Sequence, residues 1–425
     1  MDTITQTTRT SYGKNIGNSF KGVAVGFALI IASITLLWWN EGRSVDQATA
    51  LQEMQSNIVT LANTKYDAQH EGKAVLLQGE VKPLSEVVDP EFGVRSDGLV
   101  LRKTVQMYQW KENKTTHTEE KVGGSTQTTT TYDYVKEWSS TAINSSTFQD
   151  SVGHQNPMMN HKSETYATDA QLGEYYLDKN MIRRIGASQS YHGLAKMPEQ
   201  IGEAINHKNF LYIGFSAQLP RVGDVKITYS YAPAGIYTFA AKSQNKALVN
   251  YTTDNGKSFA FVRPGNVDAK IIFKEELEAN NVLTWILRGV GLMLMFIGFS
   301  LIMGPLATLV KVIPMFSSIM TGVTSIVAGI LTLILGSLVI ALSWFGSRPI
   351  LSVSILLIAI GIAVAMSRMN KKTSTTSFSK EEESTPPPPP PRSPQEEGTP
   401  PPRSPREEGT PPPPPPPRDE GGSKV

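Results

Sequence analysis

Four apolar runs, one near the start of the chain and three near its end, constrain this sequence more than any other feature, because a long polar segment separates the first from the rest. Val23 to Trp39 carries no charge and closes on Trp38 and Trp39. At about 1.5 Å per residue it reaches roughly 25 Å, close to the hydrocarbon thickness of a bilayer. Arg9, Lys14 and Lys21 precede it and Glu41, Arg43 and Asp46 follow, which places the N-terminus in the cytoplasm. A cleaved signal peptide is the rival reading, but no small-residue cleavage site follows the tryptophans. Val282 to Met303 is apolar except for Arg288, and Ser318 to Phe345 and Ile350 to Met366 are free of charge. Arg368, Lys371 and Lys372 then put the C-terminus in the cytoplasm as well. Two ends on one side require an even number of spans, and four satisfies that.

The expected organisation follows: a cytoplasmic N-terminus (1–22), a first span (23–39), an extracytoplasmic domain (40–281), a second span (282–303) and a cytoplasmic loop (304–317). A third span (318–345), a short outer hairpin (346–349), a fourth span (350–366) and a cytoplasmic tail (367–425) complete it. Pro305 and Pro314 are expected to bracket the loop that holds Lys311, and Gly346-Ser347-Arg348-Pro349 to form the hairpin. The far side is the periplasm if the host is bacterial, with the chain in the cell (inner) membrane, or the lumen of a eukaryotic endomembrane.

Within the polar segment, Val45, Ala48, Leu51, Met54, Ile58 and Leu61 recur at steps of three and four, an amphipathic helix that continues from the first span and packs on a sheet. Val225 to Tyr231 alternates apolar and polar, as a strand with one buried face does. Further β-rich runs lie at Lys73 to Val81, Leu99 to Trp110, Thr128 to Trp138, Phe210 to Phe215, Gly235 to Ala241 and Ser258 to Val262. Leu99 to Trp138 reads as a long hairpin with a solvated tip over Lys111 to Gln127, and Ala170 to Ile185 as a second helix. The fold class is therefore a multi-pass α-helical membrane protein with a large, β-rich α+β extracytoplasmic domain and a disordered C-terminal tail.

Composition excludes several chemistries. No cysteine is present, so thiolate zinc sites, iron–sulfur clusters and thiol catalysis are out. Forty Lys plus Arg against 38 Asp plus Glu leave +2, too little for a dedicated nucleic-acid binder. All six histidines fall in the middle domain, and His154 and His161 stand seven apart, a spacing unlike a zinc-binding helix. Loop hydrogen bonding by His154 is preferred over metal binding, since Asn156-Pro157 favours a turn. Gly256-Lys257-Ser258 ends like a phosphate loop but lacks its first glycine, so a β-turn is expected. Glu275, Glu276 and Glu278 read as a solvated face beside the membrane. No catalytic, cofactor or metal site is assigned.

Arg288 is the one ionisable residue inside the spans. It either anchors at the interface or meets a buried partner in the bundle. Gly322, Gly329 and Gly336 repeat every seven residues, and Gly22 and Gly26 form a Gly-x-x-x-Gly pair. Such small-residue stripes let helices approach closely, within one bundle or in a homo-oligomer. The tail, with 18 of the 28 prolines, repeats a Thr, proline, Arg, acidic, Gly unit. It reads as a solvated spacer, with Pro387-x-x-Pro390-x-Arg392 and Pro413-x-x-Pro416-x-Arg418 as alternatives for a domain that binds proline-rich ligands.

Several motifs together resemble the transmembrane protein 43 (LUMA) family, with the chain as a prokaryotic or otherwise divergent member. They are Asn40-Glu41-Gly42-Arg43, Met107-Tyr108-Gln109-Trp110, Glu137-Trp138 before Ile143-Asn144-Ser145, and Gly153-His154-Gln155-Asn156-Pro157. Gly223-Asp224-Val225 with Ser230-Tyr231-Ala232, Met295-Phe296-Ile297-Gly298 after Arg288, and Arg348-Pro349 follow in the family's order, covering about Gly17 to Met369. The resemblance implies four spans, a large lumenal domain and a role in organising membrane protein complexes, at the endoplasmic reticulum and inner nuclear membrane in animals, alongside lamins and emerin. It supplies no catalytic residues, and the proline-rich tail departs from it. The expected function is a non-enzymatic scaffold that recruits other membrane proteins. The alternatives are an accessory subunit of a channel or transporter, then a membrane enzyme acting on lipid or envelope polymer.

Overall fold

The computed structural model describes residues 2–310 and 314–347. The fourth apolar run, Arg348 and Pro349 of the hairpin, Lys311, and the whole proline-rich tail lie outside the described residues. Among the described residues, three helices are long and apolar enough to cross a membrane: α1 (Tyr12–Asn57), α3 (Ala269–Leu309) and α4 (Pro314–Ser347), the last by way of its segment Gly322–Trp344. A single helical turn, α2 (Lys179–Ile182), sits in the middle domain between them in sequence.

Helix α1 runs without a break from the first apolar run into the domain, as the spacing predicts. Ala50, Leu51 and Met54 on its outer part are wholly buried against Ala74, Leu76 and Ala240 of the sheet and Ile272 and Phe273 of α3. Asp268 caps the start of α3, its carboxylate accepting from the Lys270 amide at 2.7 Å. Pro305 does not end this helix, contrary to expectation, because α3 continues to Leu309. A proline within a membrane helix is tolerated where neighbours cover the freed carbonyl, and that of Leu301 lies against Gly22. Inside the apolar zone α1 and α3 touch backbone to backbone: a Cβ on Gly26 would stand 2.6 Å from the Gly298 carbonyl. The Gly22 and Gly26 pair therefore serves packing within the chain.

The middle domain is built on two large sheets, beside two small two-stranded ones. In one, strands Ala74–Pro83, Ala170–Leu172, Tyr175–Leu177, Ala247–Val249 and Gly235–Gln244 pair in turn, and the last pairs back onto the first, closing a small barrel. Alternation sorts its residues. Val75, Leu77, Phe239 and Ala241 fill the interior, while Ala74, Leu76 and Ala240 face outward under α1 and α3. The helix expected over Ala170 to Ile185 is instead a hairpin followed by α2. Gly173 turns the chain at φ +61°, where a Cβ would collide with Thr64, and no helix accommodates that conformation.

The second sheet is built on the expected long hairpin, but its strands are longer than predicted, Val100–Glu120 and Thr126–Ser139, leaving only Lys121 to Ser125 as the tip. Threonine-rich segments favour extended backbone, which the low hydrophobicity of this stretch conceals. Val225–Ala232 pairs with the root of the hairpin, Val100 to Met107. A strand the sequence did not suggest, Asp2–Thr10, pairs antiparallel with Thr126 to Tyr134, and Asn15 Nδ2 donates to the Gly124 carbonyl at 3.1 Å. The residues before the first apolar run thus meet the far end of a domain hairpin that the charge rule puts across the bilayer from them.

Candidate functional site

Immediately past Trp39, α1 presents Asn40, Glu41, Arg43 and Ser44, while α3 presents Asn280, Thr284 and Arg288 at i, i+4 and i+8, on one face. The two sets interlock. Asn40 Nδ2 donates to the Thr284 carbonyl at 3.1 Å, Arg43 donates to Asn280 Oδ1 at 2.9 Å and Thr284 Oγ1 at 3.0 Å, and Asn280 Nδ2 donates to the Ser44 carbonyl at 2.9 Å. One turn deeper, Arg288 binds Glu41 bidentately, Nε to Oε1 at 2.6 Å and Nη2 to Oε2 at 2.7 Å. Helix α4 joins through Trp344, whose Nε1 donates to Glu41 Oε2 at 2.6 Å. Glu41 is 2% exposed, and the Arg288 guanidinium lies 4.7 Å from the Trp285 ring. Of the two readings of Arg288, the structure selects the buried partner. Both oxygens of Glu41 accept from Arg288, and Oε2 accepts from Trp344 as well, so the carboxylate is tied to two neighbouring helices. The clamp is built to hold three helices in one register.

The motif positions of the middle domain gather at the hairpin root. Asn156 imitates a neighbouring strand: its Oδ1 accepts from the Trp110 amide at 2.7 Å and its Nδ2 donates to the Trp110 carbonyl at 2.9 Å. Buried Gln109 donates to the Thr141 carbonyl at 3.1 Å and accepts from the Ile143 amide at 2.8 Å. Tyr108 and Trp138 meet across the strands with ring centroids 5.2 Å apart and planes tilted by 51°, and Pro157 packs beneath Gly223. The Gly153 amide donates to Asp150 Oδ1 at 3.0 Å. His154 does not hydrogen-bond its loop as expected. It stacks on Tyr134 at 3.7 Å and meets the edge of Trp110 at 4.6 Å, and although Asp150 Oδ2 is 3.1 Å from Nδ1, the angle leaves that nitrogen without a hydrogen bond. Its role is to fill an aromatic slot, with the loop tied down by Asn156.

Along the third span, a Cβ on Gly336 would strike Leu292 of α3, one on Gly329 would stand 4.0 Å from Phe296, and one on Gly322 would meet open space. Gly256 makes the expected turn at φ +78°. Arg263 binds Glu275 at 3.0 Å and Glu276 at 2.7 Å, so two of the three acidic residues before the second span are tied to the domain rather than simply solvated.

One cluster escaped the sequence reading. Lys103 is 1% exposed, 3.6 Å from Asp89 Oδ1 and bonded to Glu91. Asp89 accepts from the Tyr229 hydroxyl at 2.6 Å, and His161 bridges Glu91 at 2.6 Å and Glu203 at 3.3 Å. Burial, then the bond to Asp89, pushes the Tyr229 phenol well above its ordinary range. The signal was there: alternation sets Lys103 on the inward face with Leu101, Val105 and Met107. For Glu91, burial raises the pKa, but the bonds from Lys103 and His161 outweigh it and hold the carboxyl below its usual range. Its stabilisation is therefore complete above the unfolded value of about 4.3 and is lost as pH falls through the depressed folded value. Unfolding followed from pH 6 to pH 2 should show a stability loss below about pH 4.3 that Glu91→Gln flattens; identical profiles would refute this assignment.

The sequence matches the family model described as transmembrane protein 43 over residues 107–349, more than half of the chain. The chain belongs to the transmembrane protein 43 family. Mouse transmembrane protein 43 is 29% identical over 385 residues, 87% of this chain and 95% of the relative. The human protein is 30% identical over 367 residues, 83% of this chain and 91% of the relative, and the Drosophila melanogaster homologue 30% over 282 residues, 64% and 74%. No solved structure matches. Within the family frame, most of the described motif residues fall into two assemblies, the helix clamp and the hairpin root.

Proposed function

We propose that this chain is a non-enzymatic membrane scaffold that organises or recruits other membrane proteins through its middle domain and helix bundle. One observation carries the reading: the clamp of Asn40, Glu41 and Arg43 with Asn280, Thr284 and Arg288 locks α1 and α3 at the point where both leave the apolar zone and continue into the domain core. Such a joint fixes a platform relative to the bilayer, which suits assembly better than turnover. Membership of a family not known for enzymes supports it.

In this reading the domain is extracytoplasmic, four spans cross the bilayer, and both termini are cytoplasmic, with the tail as a tether. The N-terminal strand then parts from the hairpin in a membrane. Beyond its root the hairpin carries Lys111, Glu112, Lys114, Glu119, Asp133 and Lys136. Each charge at the bilayer centre costs about 2.5–3.5 kcal/mol on insertion scales, whereas a cross-strand pair contributes only about 0.2–1 kcal/mol. Several such charges outweigh nine residue pairs.

Cross-linking in the native membrane followed by affinity capture of the full chain should return a reproducible set of membrane proteins, which shrinks when the clamp is broken by Arg288→Leu. A wild-type capture no richer than that from untagged membranes would defeat the scaffold reading.

A further inference from the structure

A second feature sits beside the clamp and shares Arg43 with it. The stretch of α1 just past the first apolar run, the C-terminal part of α4 and the turn Thr253 to Lys257 enclose a cleft of about 360 Å³, lined by Trp38, Trp39, Arg43, Asp46, Lys257 and Ser343. The turn is fastened to α1: Asn255 Nδ2 donates to the Asp46 carbonyl at 2.8 Å, and the Asp254 amide donates to the Glu53 carboxylate at 3.1 Å. Lys257 is thereby delivered from the domain to the depth at which the first apolar run ends. Among the described residues its ammonium has neither hydrogen bond nor ion pair, and Arg43, whose Nη atoms serve the clamp, keeps a buried Nε without a partner. Trp38 and Trp39 remain 52% and 56% exposed.

Each part has a physical counterpart in one kind of ligand. Indoles at the end of a span belong at the headgroup level. The unpaired ammonium of Lys257, with the positive charge of Arg43 beside it, suits a phosphodiester, and basic pockets beside membrane helices hold lipid phosphates in this way. Asp46 and the two indole faces suit a cationic amine, by charge and by cation–π attraction. We infer that the cleft binds the headgroup of a zwitterionic glycerophospholipid, phosphate toward Lys257 and Arg43 and amine toward Asp46 and the tryptophans.

The test uses the full chain released from nanodiscs of equimolar phosphatidylcholine and phosphatidylglycerol, with bound lipid counted by native mass spectrometry. Wild type should retain one phosphatidylcholine per chain. Lys257→Glu should lower the retained fraction about tenfold, a control Lys270→Glu should leave it unchanged, and Asp46→Asn should shift retention toward phosphatidylglycerol. Trp39→Ala, which leaves every ionic group in place, should also weaken retention and serves if Lys257→Glu misfolds. Equal retention by wild type, Lys257→Glu and Trp39→Ala would overturn the site. A wild-type preference for phosphatidylglycerol would overturn the zwitterionic assignment, and displacement of the lipid by millimolar inorganic phosphate would show that the cleft takes free phosphate instead.

Discussion

Arg288→Leu is expected to destabilise the helix bundle by about 3–5 kcal/mol even though it makes the second span more apolar. Hydropathy alone predicts the opposite. The reason is Glu41, 2% exposed, whose two oxygens receive Nε and Nη2 of Arg288. Truncating the cation leaves a buried carboxylate with only Trp344 Nε1 to satisfy it. The paired change Glu41→Gln with Arg288→Leu should recover much of the loss, because no uncompensated charge remains. Denaturant titration in mild detergent, read by tryptophan fluorescence, measures both. If the single variant is as stable as wild type, the clamp does not hold the helices together.

An effect of similar size is expected in the domain. Lys103→Met should cost about 3–5 kcal/mol, since Asp89 is wholly buried and loses its cation while Glu91 loses its bond. Asp89→Asn combined with Lys103→Met should be markedly better than Lys103→Met alone, with the Tyr229 hydroxyl still able to bond the amide oxygen. Thermal unfolding of the full chain decides: a single variant within about 1 kcal/mol of wild type would mean that the lysine is solvated and not a structural counter-ion.

The two predictions differ in how far the sequence alone leads to them. Lys103 could have been found, because a lysine on the inward beat of Leu101, Val105 and Met107 violates the strand's own pattern. Arg288 was visible as an intramembrane charge, but its partner was not: Glu41 lies 247 positions away, just outside a run bounded by its last uncharged residue. The apolar runs and the outer continuation of α1 were legible since each is a local periodicity. Ala170 to Ile185 has the pattern of a helix and folds as a hairpin because Gly173 acts through a single positive φ and a collision with Thr64, neither of which leaves a periodic trace. The Asp2–Thr10 strand was missed for a related reason, its partner being more than a hundred residues distant. Asn156, His154, Tyr108 and Trp138 were marked by resemblance, and the slots that they fill depend on strand pairing that no short motif encodes.

The unbroken course of α1 from the apolar zone to Asn57 gives the molecule a lever. Past Trp39 it extends a further 18 residues, roughly 27 Å, so a tilt of about 10° would swing its tip by roughly 5 Å. Helices tilt to match the hydrocarbon they cross, and α3, bolted to α1 by the clamp, has to lean with it. A thinner or thicker bilayer thereby becomes a different pose of the barrel joined to it, transmitted through rigid geometry alone.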